Sequence, residues 1–344
     1  MPSLRTEVTE IVTGLATLGL GDVDWALAAR PASLLHVGDE HWDRLLAARA
    51  DPAHDADFAS AWANGLAFLH AADGLRGRPP LRVEWKGPDK LTAVAEVPAD
   101  LRIDHVYLVS CKYLSKILVN SSPASLFDGG LGERPTAPLA DWFQEIAPRE
   151  YADFYAAAAS GVADVLGLAA SQLLRLPADV GGLARSQRRQ LTEALRGPLE
   201  PVADATYRRF AHAVADRSAR RWAAAMPDLA ARERVLWRML RIGGAPYFVL
   251  GSSKAGTSLR LRIDTPWDWR QRYKLKAFET WGEAAGQPLV RWQASVTDRQ
   301  LGTDRTIQGH VEVRWSHGRF SGAPEAKVYL DTPHADVPGY HPLV

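Results

Sequence analysis

Residues 103–112 read Ile-Asp-His-Val-Tyr-Leu-Val-Ser-Cys-Lys, and no other stretch constrains the fold as strongly. Val, Ile and Tyr dominate it. The run from Val106 to Val109 is apolar on both faces, so the segment reads as a buried strand. Charge gathers around it: Asp100 and Asp104 on one side, Lys112 at the other end, and Lys116 four residues on. A strand that delivers acids and a lysine to its ends suits chemistry at a phosphate. There carboxylates hold a cation while an ammonium faces the developing negative charge.

The flanking sequence predicts an α+β protein. Helical spacing of apolar residues covers 9–18, 25–35 and 55–72, the last with Phe58, Trp62, Leu66 and Leu69 on one face and a glycine stop at Asp73-Gly74. Residues 81–87 read as a short strand with Glu84 and Lys86 on the same face. Pro88-Asp89 begins a turn, 91–97 reads as a second strand, 98–102 as a turn and 103–112 as the third strand. Asn120-Ser121-Ser122-Pro123 carries turn chemistry and a helix start, with Ser122 as N-cap. Helices are expected over 139–147, 152–176, 186–195, 201–224 and 229–240. After Gly243-Gly244 the pattern changes to alternating strands at 246–251, 258–264, 274–278, 289–296, 305–315 and 325–330. Gly251 to Gly256 lacks the order of a phosphate-binding loop and reads as a hairpin turn. Four segments follow: a helical segment 1–75, a small mixed-sheet core 76–135, an Arg-rich helical region 136–242 and a β-rich region 243–344.

Charge is distributed unevenly. The net charge of +1 conceals 24 acidic and 15 basic side chains in residues 1–179, and 16 acidic and 26 basic in 180–344. Thirteen arginines fall within 184–241. Such a half suits a polyanion, although solvated Arg-rich helices give the same count. The chain holds 33 Arg but only 8 Lys, and four of those lysines (Lys86, Lys90, Lys112, Lys116) lie within 31 residues. Lysine is the compact cation whose proton affinity burial can change, so its concentration there has chemical content. Cys111 is the sole cysteine, which excludes an intramolecular disulfide. No apolar run is long enough for a membrane span and the N-terminus lacks a signal-peptide pattern, so a cytoplasmic protein without membrane partners is expected.

Two short motifs carry a family resemblance. Glu84-Trp85-Lys86 gives acid-x-lysine, and Ser110-Cys111-Lys112 gives the same spacing with a serine in the acid's place and Asp100 and Asp104 upstream. Over residues 55–127 the chain resembles the PD-(D/E)xK nuclease superfamily, the restriction-endonuclease-like proteins. The resemblance implies a mixed sheet flanked by helices, Mg²⁺ (or Mn²⁺) at the strand ends, and cleavage of DNA in a restriction-like or phage-defence role. Glu84 and Asp104 are then the leading metal ligands and Asp89 a substitute. Lys112 or Lys86 is the catalytic lysine, with Ser110 at the second acid's position. An uninterrupted strand puts Asp104 and Ser110 about 20 Å apart, so the site requires a bend or help from the neighbouring strand. Trp267 to Lys276 interleaves aromatics with cations, which makes Trp269, Arg270, Arg272 and Lys274 candidates for nucleic-acid contact. DNA is the expected partner, joined by a partner protein or a second copy of the chain. The alternative is a non-catalytic nucleic-acid-binding or assembly protein that has lost the second acid at Ser110. Cross-strand Glu–Lys pairing on an exposed sheet explains the same motifs without any chemistry.

Overall fold

Among the described residues twelve strands form two sheets, and each sheet belongs to its own compact unit. The structure is a computed structural model and describes residues 3–87, 99–113, 117–131, 141–166, 176–252, 258–284 and 286–344. The first unit is made of Met1–Lys116, Leu240–Tyr273 and Pro333–Val344, the second of Ile117–Met239 and Lys274–Thr332. The α+β class holds. The four consecutive segments expected from the sequence are instead interleaved, because strands late in the chain complete the early sheet.

In the first unit the sheet is mixed. β1 (Leu34–Leu35) pairs parallel with β2 (Val83–Trp85). Then β2, β3 (Leu101–Ile103) and β4 (Tyr107–Tyr113) form an antiparallel meander. β5 (Ile117–Ser121) belongs to the second unit. β6 (Tyr247–Ser252) returns parallel to β4, and β7 (Ser258–Ile263) runs antiparallel beside it. The closing strand, Tyr340–Pro342, pairs antiparallel with β7. β4 is therefore central, as its apolar sequence requires. The expected strand at 91–97 and residues Asp89 and Lys90 lie outside the described residues, as do Lys116 and most of 251–256.

Two helical rods cover one face of this sheet. α1 (Leu4–Glu7), a π-helical turn (Val8–Val12) and α2 (Thr13–Thr17) run on without leaving right-handed helical backbone. α3 (Val23–Ala29) and α4 (Asp39–Arg49) follow, then α5 (Asp55–His70), the helix that its amphipathic pattern announced. Val8, Ile11, Val12 and Leu15 pack with Phe58 and Phe68 over Val83, Trp85, Leu101, Val109, Cys111 and Phe248. Side chains at alternate positions, Leu108, Ser110 and Lys112 on β4, face the other way. The rods approach so closely that a Cβ at Gly65 of α5 runs into the Thr13 carbonyl and the Ala16 side chain. The Thr13 hydroxyl donates to the Ala61 carbonyl at 3.2 Å across the same crossing.

The second unit has a five-stranded antiparallel sheet in the order β5, Glu325–Leu330, Thr303–Arg314, Pro288–Asp298, Tyr273–Ala284. The 25-residue helix Pro201–Ala225 packs on it with Trp222 against Phe278 and Phe278 stacked on Trp292. Trp292 and Trp315 join aromatic clusters as expected of core residues, whereas Trp281 is 44% exposed. The N-cap at Ser122 forms as expected, its hydroxyl accepting from the Ser125 amide. Among the described residues no helix is long and apolar enough to cross a membrane.

Gly65→Val is expected to destabilise the protein by about 1–3 kcal/mol, the usual cost of forcing extra volume into a packed crossing. Chemical denaturation followed by far-UV circular dichroism measures it. An unchanged midpoint would contradict the close helix crossing.

Candidate active site

The expected strand over 103–112 is two strands joined by a tight turn. Asp104 and His105 take left-handed backbone (φ 49° and 63°), and the Val106 amide donates to the Ile103 carbonyl at 3.0 Å. Two successive positive φ values define the turn whose twist matches a hairpin, and Asp tolerates that conformation better than most residues. Asp104 secures the turn further: its carboxylate accepts from the Leu81 and Arg82 amides at 2.9 and 3.0 Å. It is a turn residue, with its carboxylate engaged by these two amides rather than turned toward Ser110 or Lys112.

The acid that reaches Ser110 is Asp100. Hairpin register pairs Leu101 with Val109, and the Asp100 amide donates to the Val109 carbonyl at 2.8 Å, so Asp100 stands opposite Ser110. One carboxylate oxygen of Asp100 accepts the Cys111 amide at 2.7 Å and the Ser110 hydroxyl at 3.1 Å. On the other side of Asp100, the Lys86 amide donates to the Asp100 carbonyl at 3.0 Å. Lys86, Asp100 and Ser110 thus form one cross-strand row, and Lys112 follows Ser110 on the same side of β4. Parallel pairing holds Lys112 beside Gly251 of β6, where a Cβ would collide with the Lys112 backbone.

A second acid comes from the N-terminal rod. Glu10 sits in the π-helical turn, and the Trp85 indole donates to it at 2.7 Å. π-helical turns inside α-helices recur at functional sites because the wider turn re-aims side chains. Burial pushes the Glu10 carboxyl up to about 8, the negative charge of Asp100 adds to the rise, and Trp85 and the Lys112 ammonium oppose it. Glu7, one turn earlier, contributes further negative charge. Glu7 is fully buried, with one oxygen taking the Arg44 guanidinium at 2.6 Å and the other without a hydrogen-bond partner among the described residues. The edge of the His41 ring packs on Trp85 with centroids 4.7 Å apart, which fixes the indole that serves Glu10.

Lys86 is half-buried, and desolvation lowers its proton affinity, with Asp100 opposing and Arg102 reinforcing the effect. Cys111, beneath Asp100 on the core face, is held as a neutral thiol by burial and by the charges of Asp100 and Glu10. Tyr247 is also buried, which pushes its phenol up to about 12.

The sequence-predicted residues divide accordingly. Ser110 bonds the Asp100 carboxylate, Lys86 flanks Asp100 through its backbone amide, and Lys112 follows two residues after Ser110 on β4. Glu84 is committed to Arg102, which holds its carboxyl below the usual range, and His105 lies 3.6 Å away. Asp89 lies outside the described residues. Trp269 is fully buried in the helix Pro266–Arg272 and donates to the Pro338 carbonyl at 3.2 Å, so it offers no face for a base. Arg272 stacks on Tyr273 at 5.2 Å, while Arg270 and Lys274 are exposed. Glu10 was missed. Its signal was a pair of acids, Glu7 and Glu10, set within the apolar face of a helical pattern. Asp100 was noticed but not preferred, because the turn was placed over it at 98–102 rather than at Asp104 and His105.

Two carboxylates supply hard oxygen donors, which suit Mg²⁺ or Mn²⁺ over thiophilic metals. Among the described residues no group of three or more His, Cys, Asp and Glu side chains is assembled to hold a metal. Two protein ligands with waters or phosphate oxygens completing the shell are what Mg²⁺ commonly takes. The resistance of Glu10 to ionising beside Asp100 is the further sign of fit, since a divalent cation would relieve that repulsion.

No known family model matches the chain, and neither a curated protein nor a solved structure does.

Without metal, Glu10 keeps its proton up to about pH 8. Cation binding must displace that proton, so affinity should rise up to about tenfold per pH unit toward pH 8 and level off above it. Mn²⁺ titrations by calorimetry across this range test it. Glu10→Gln should flatten the profile, and a flat wild-type profile would remove Glu10 from the ligand set.

Proposed function

We propose that the protein is a metal-dependent nuclease that hydrolyses phosphodiester bonds in nucleic acid, with DNA the favoured substrate. The observation that carries this reading is the hairpin register that sets Asp100 opposite Ser110 with Lys112 two residues on, supported by the charges of Asp100 and Lys112 acting on Glu10. Asp100 and Glu10 are the residues that would hold Mg²⁺ or Mn²⁺. A bound cation supplies Lewis-acid stabilisation of the phosphoryl oxygens and a more acidic water. The chain's own groups do the rest. The Cys111 amide and the Ser110 hydroxyl orient the Asp100 carboxylate, and Trp85 orients Glu10. The Lys112 ammonium stabilises the charge that builds on the phosphoryl oxygens as water attacks phosphorus and the ester oxygen leaves. The basic excess of residues 180–344 favours a polyanionic substrate. A restriction-like or defence role rests on the family resemblance alone.

Ser110 supports a second reading. A neutral hydroxyl stands where the resemblance expects an acid, so a nucleic-acid-binding protein without cleavage is the competitor. Cleavage assays decide between them. Wild-type protein should nick supercoiled plasmid in Mg²⁺ or Mn²⁺. Lys112→Ala, Asp100→Asn and Glu10→Gln should each lose on the order of 10²–10³-fold in rate. Asp104→Asn should reduce stability rather than the rate per folded molecule. A wild type that cuts neither DNA nor RNA in either metal would defeat the nuclease reading. Salt-sensitive binding without cleavage would favour the second.

A further inference from the structure

We propose that Lys86 forms a second phosphate subsite, which receives the phosphate next to the scissile one and makes the site selective for polynucleotides over isolated diesters. This inference rests on the nuclease reading. The two lysines flank Asp100 from different strands: Lys86 follows β2, Asp100 precedes β3, and Lys112 is on β4. Adjacent strands lie about 4.8 Å apart, so the β2 and β4 backbones are separated by roughly 10 Å across the strand of Asp100. Their electrostatic surroundings also differ. Lys112 is among the charges felt by Glu10, whereas the charges felt by Lys86 are those of Asp100 and Arg102. Lys112 and Lys86 thus lie on the two strands that flank the strand of Asp100.

Lys86 is also available. Arg102, its basic neighbour, is neutralised by Glu84. Among the described residues Lys86 makes no ion pair within 4.0 Å. A half-buried ammonium without a close counter-ion gains by meeting an anion. Because the row Lys86–Asp100–Ser110 runs across the strands, a nucleic-acid backbone laid along it presents successive phosphates to Lys112 and Lys86. An isolated diester has one phosphate and can meet only one of them. The chain's use of lysine here, against its general use of arginine, fits point-charge contacts to phosphate.

Fluorescence anisotropy tests this with two probes in Ca²⁺: a short single-stranded oligodeoxynucleotide and a labelled dinucleoside monophosphate. Lys86→Ala should weaken oligonucleotide binding about tenfold and lower the magnitude of the salt-dependence slope by about one. Its effect on the one-phosphate probe should be under about twofold. Lys86→Arg, which keeps the charge, should restore most of the oligonucleotide affinity. A methylphosphonate next to the phosphate at the cleavage position should weaken wild type and add nothing to Lys86→Ala. Equal losses on both probes would mean that Lys86 acts only through Asp100 and would overturn the subsite, as would no loss on the oligonucleotide. Plasmid cleavage by wild type is scored separately. Its absence would overturn the nuclease reading while the binding comparison still decides Lys86.

Discussion

Everything proposed for this site depends on where the β3–β4 hairpin turns. Asp104 and His105 accept left-handed backbone, the chain reverses there, and the resulting register is fixed by Leu101 opposite Val109. Asp100 then meets Ser110 and its carboxylate receives the Cys111 amide. A slip of one residue would send Leu101 to the other face and remove it from the core beneath the helices. Hydrophobic burial of Leu101, Val109 and Cys111 therefore enforces the same register that positions Asp100. The register that buries Leu101, Val109 and Cys111 is also the one that brings Asp100 to Ser110.

The charges so gathered are costly. The negative charges of Asp100 and Glu7 add to burial in making Glu10 reluctant to ionise. The sign of the consequence is definite. Glu10 has a folded-state value near 8 against an ordinary 4.5, so between these values the folded state holds a proton that the unfolded state has released. Stability of the metal-free protein therefore falls as pH rises through that window. Arg44 on Glu7, Trp85 on Glu10 and Lys112 offset only part of the repulsion. Under the proposed function a bound cation would offset that cost. A purely structural site would gain from replacing Glu10 by an apolar residue on the same helix face.

The legible parts of the sequence were those where local pattern decides structure. The amphipathic helix over 55–70, the Ser122 cap and the strand at 325–330 appear where periodicity and capping place them. Lys112 was identifiable because it breaks the chain's arginine habit. The acids were harder. Asp100 and Asp104 differ by four positions, and choosing between them needs the turn, which lacks the Gly or Asn that usually marks positive φ. Glu10 depends on a π-helical turn, a departure of one residue in hydrogen bonding that a pattern of period 3.6 does not reveal. Trp269 looked like an exposed aromatic beside arginines, yet it sits on the inner face of a seven-residue helix with Trp267 on the outer. The motif reading therefore located the strand and its lysine, while the structure engages Glu84 with Arg102 and Asp104 with the turn amides.

Pairing of distant segments was illegible for a different reason. β4 needs a neighbour on each edge, and its parallel partner β6 arrives only after all of residues 117–239. Parallel strands require a crossover, and here the crossover contains most of the second unit. Nothing in residues 247–252 names their partner, since a buried strand is apolar whichever edge it meets. Gly251 is the exception in hindsight, because a side chain there cannot coexist with the Lys112 backbone. The strand that carries Lys112 is thus closed on its second edge by a segment far along the chain. Closing so long a loop costs entropy before any pairing is gained. The Asp100–Ser110 contact belongs to a local hairpin, whereas Lys112 is paired to β6 at Gly251. The strand that carries the lysine is therefore held by two pairings of very different sequence separation, one with β3 and one with β6.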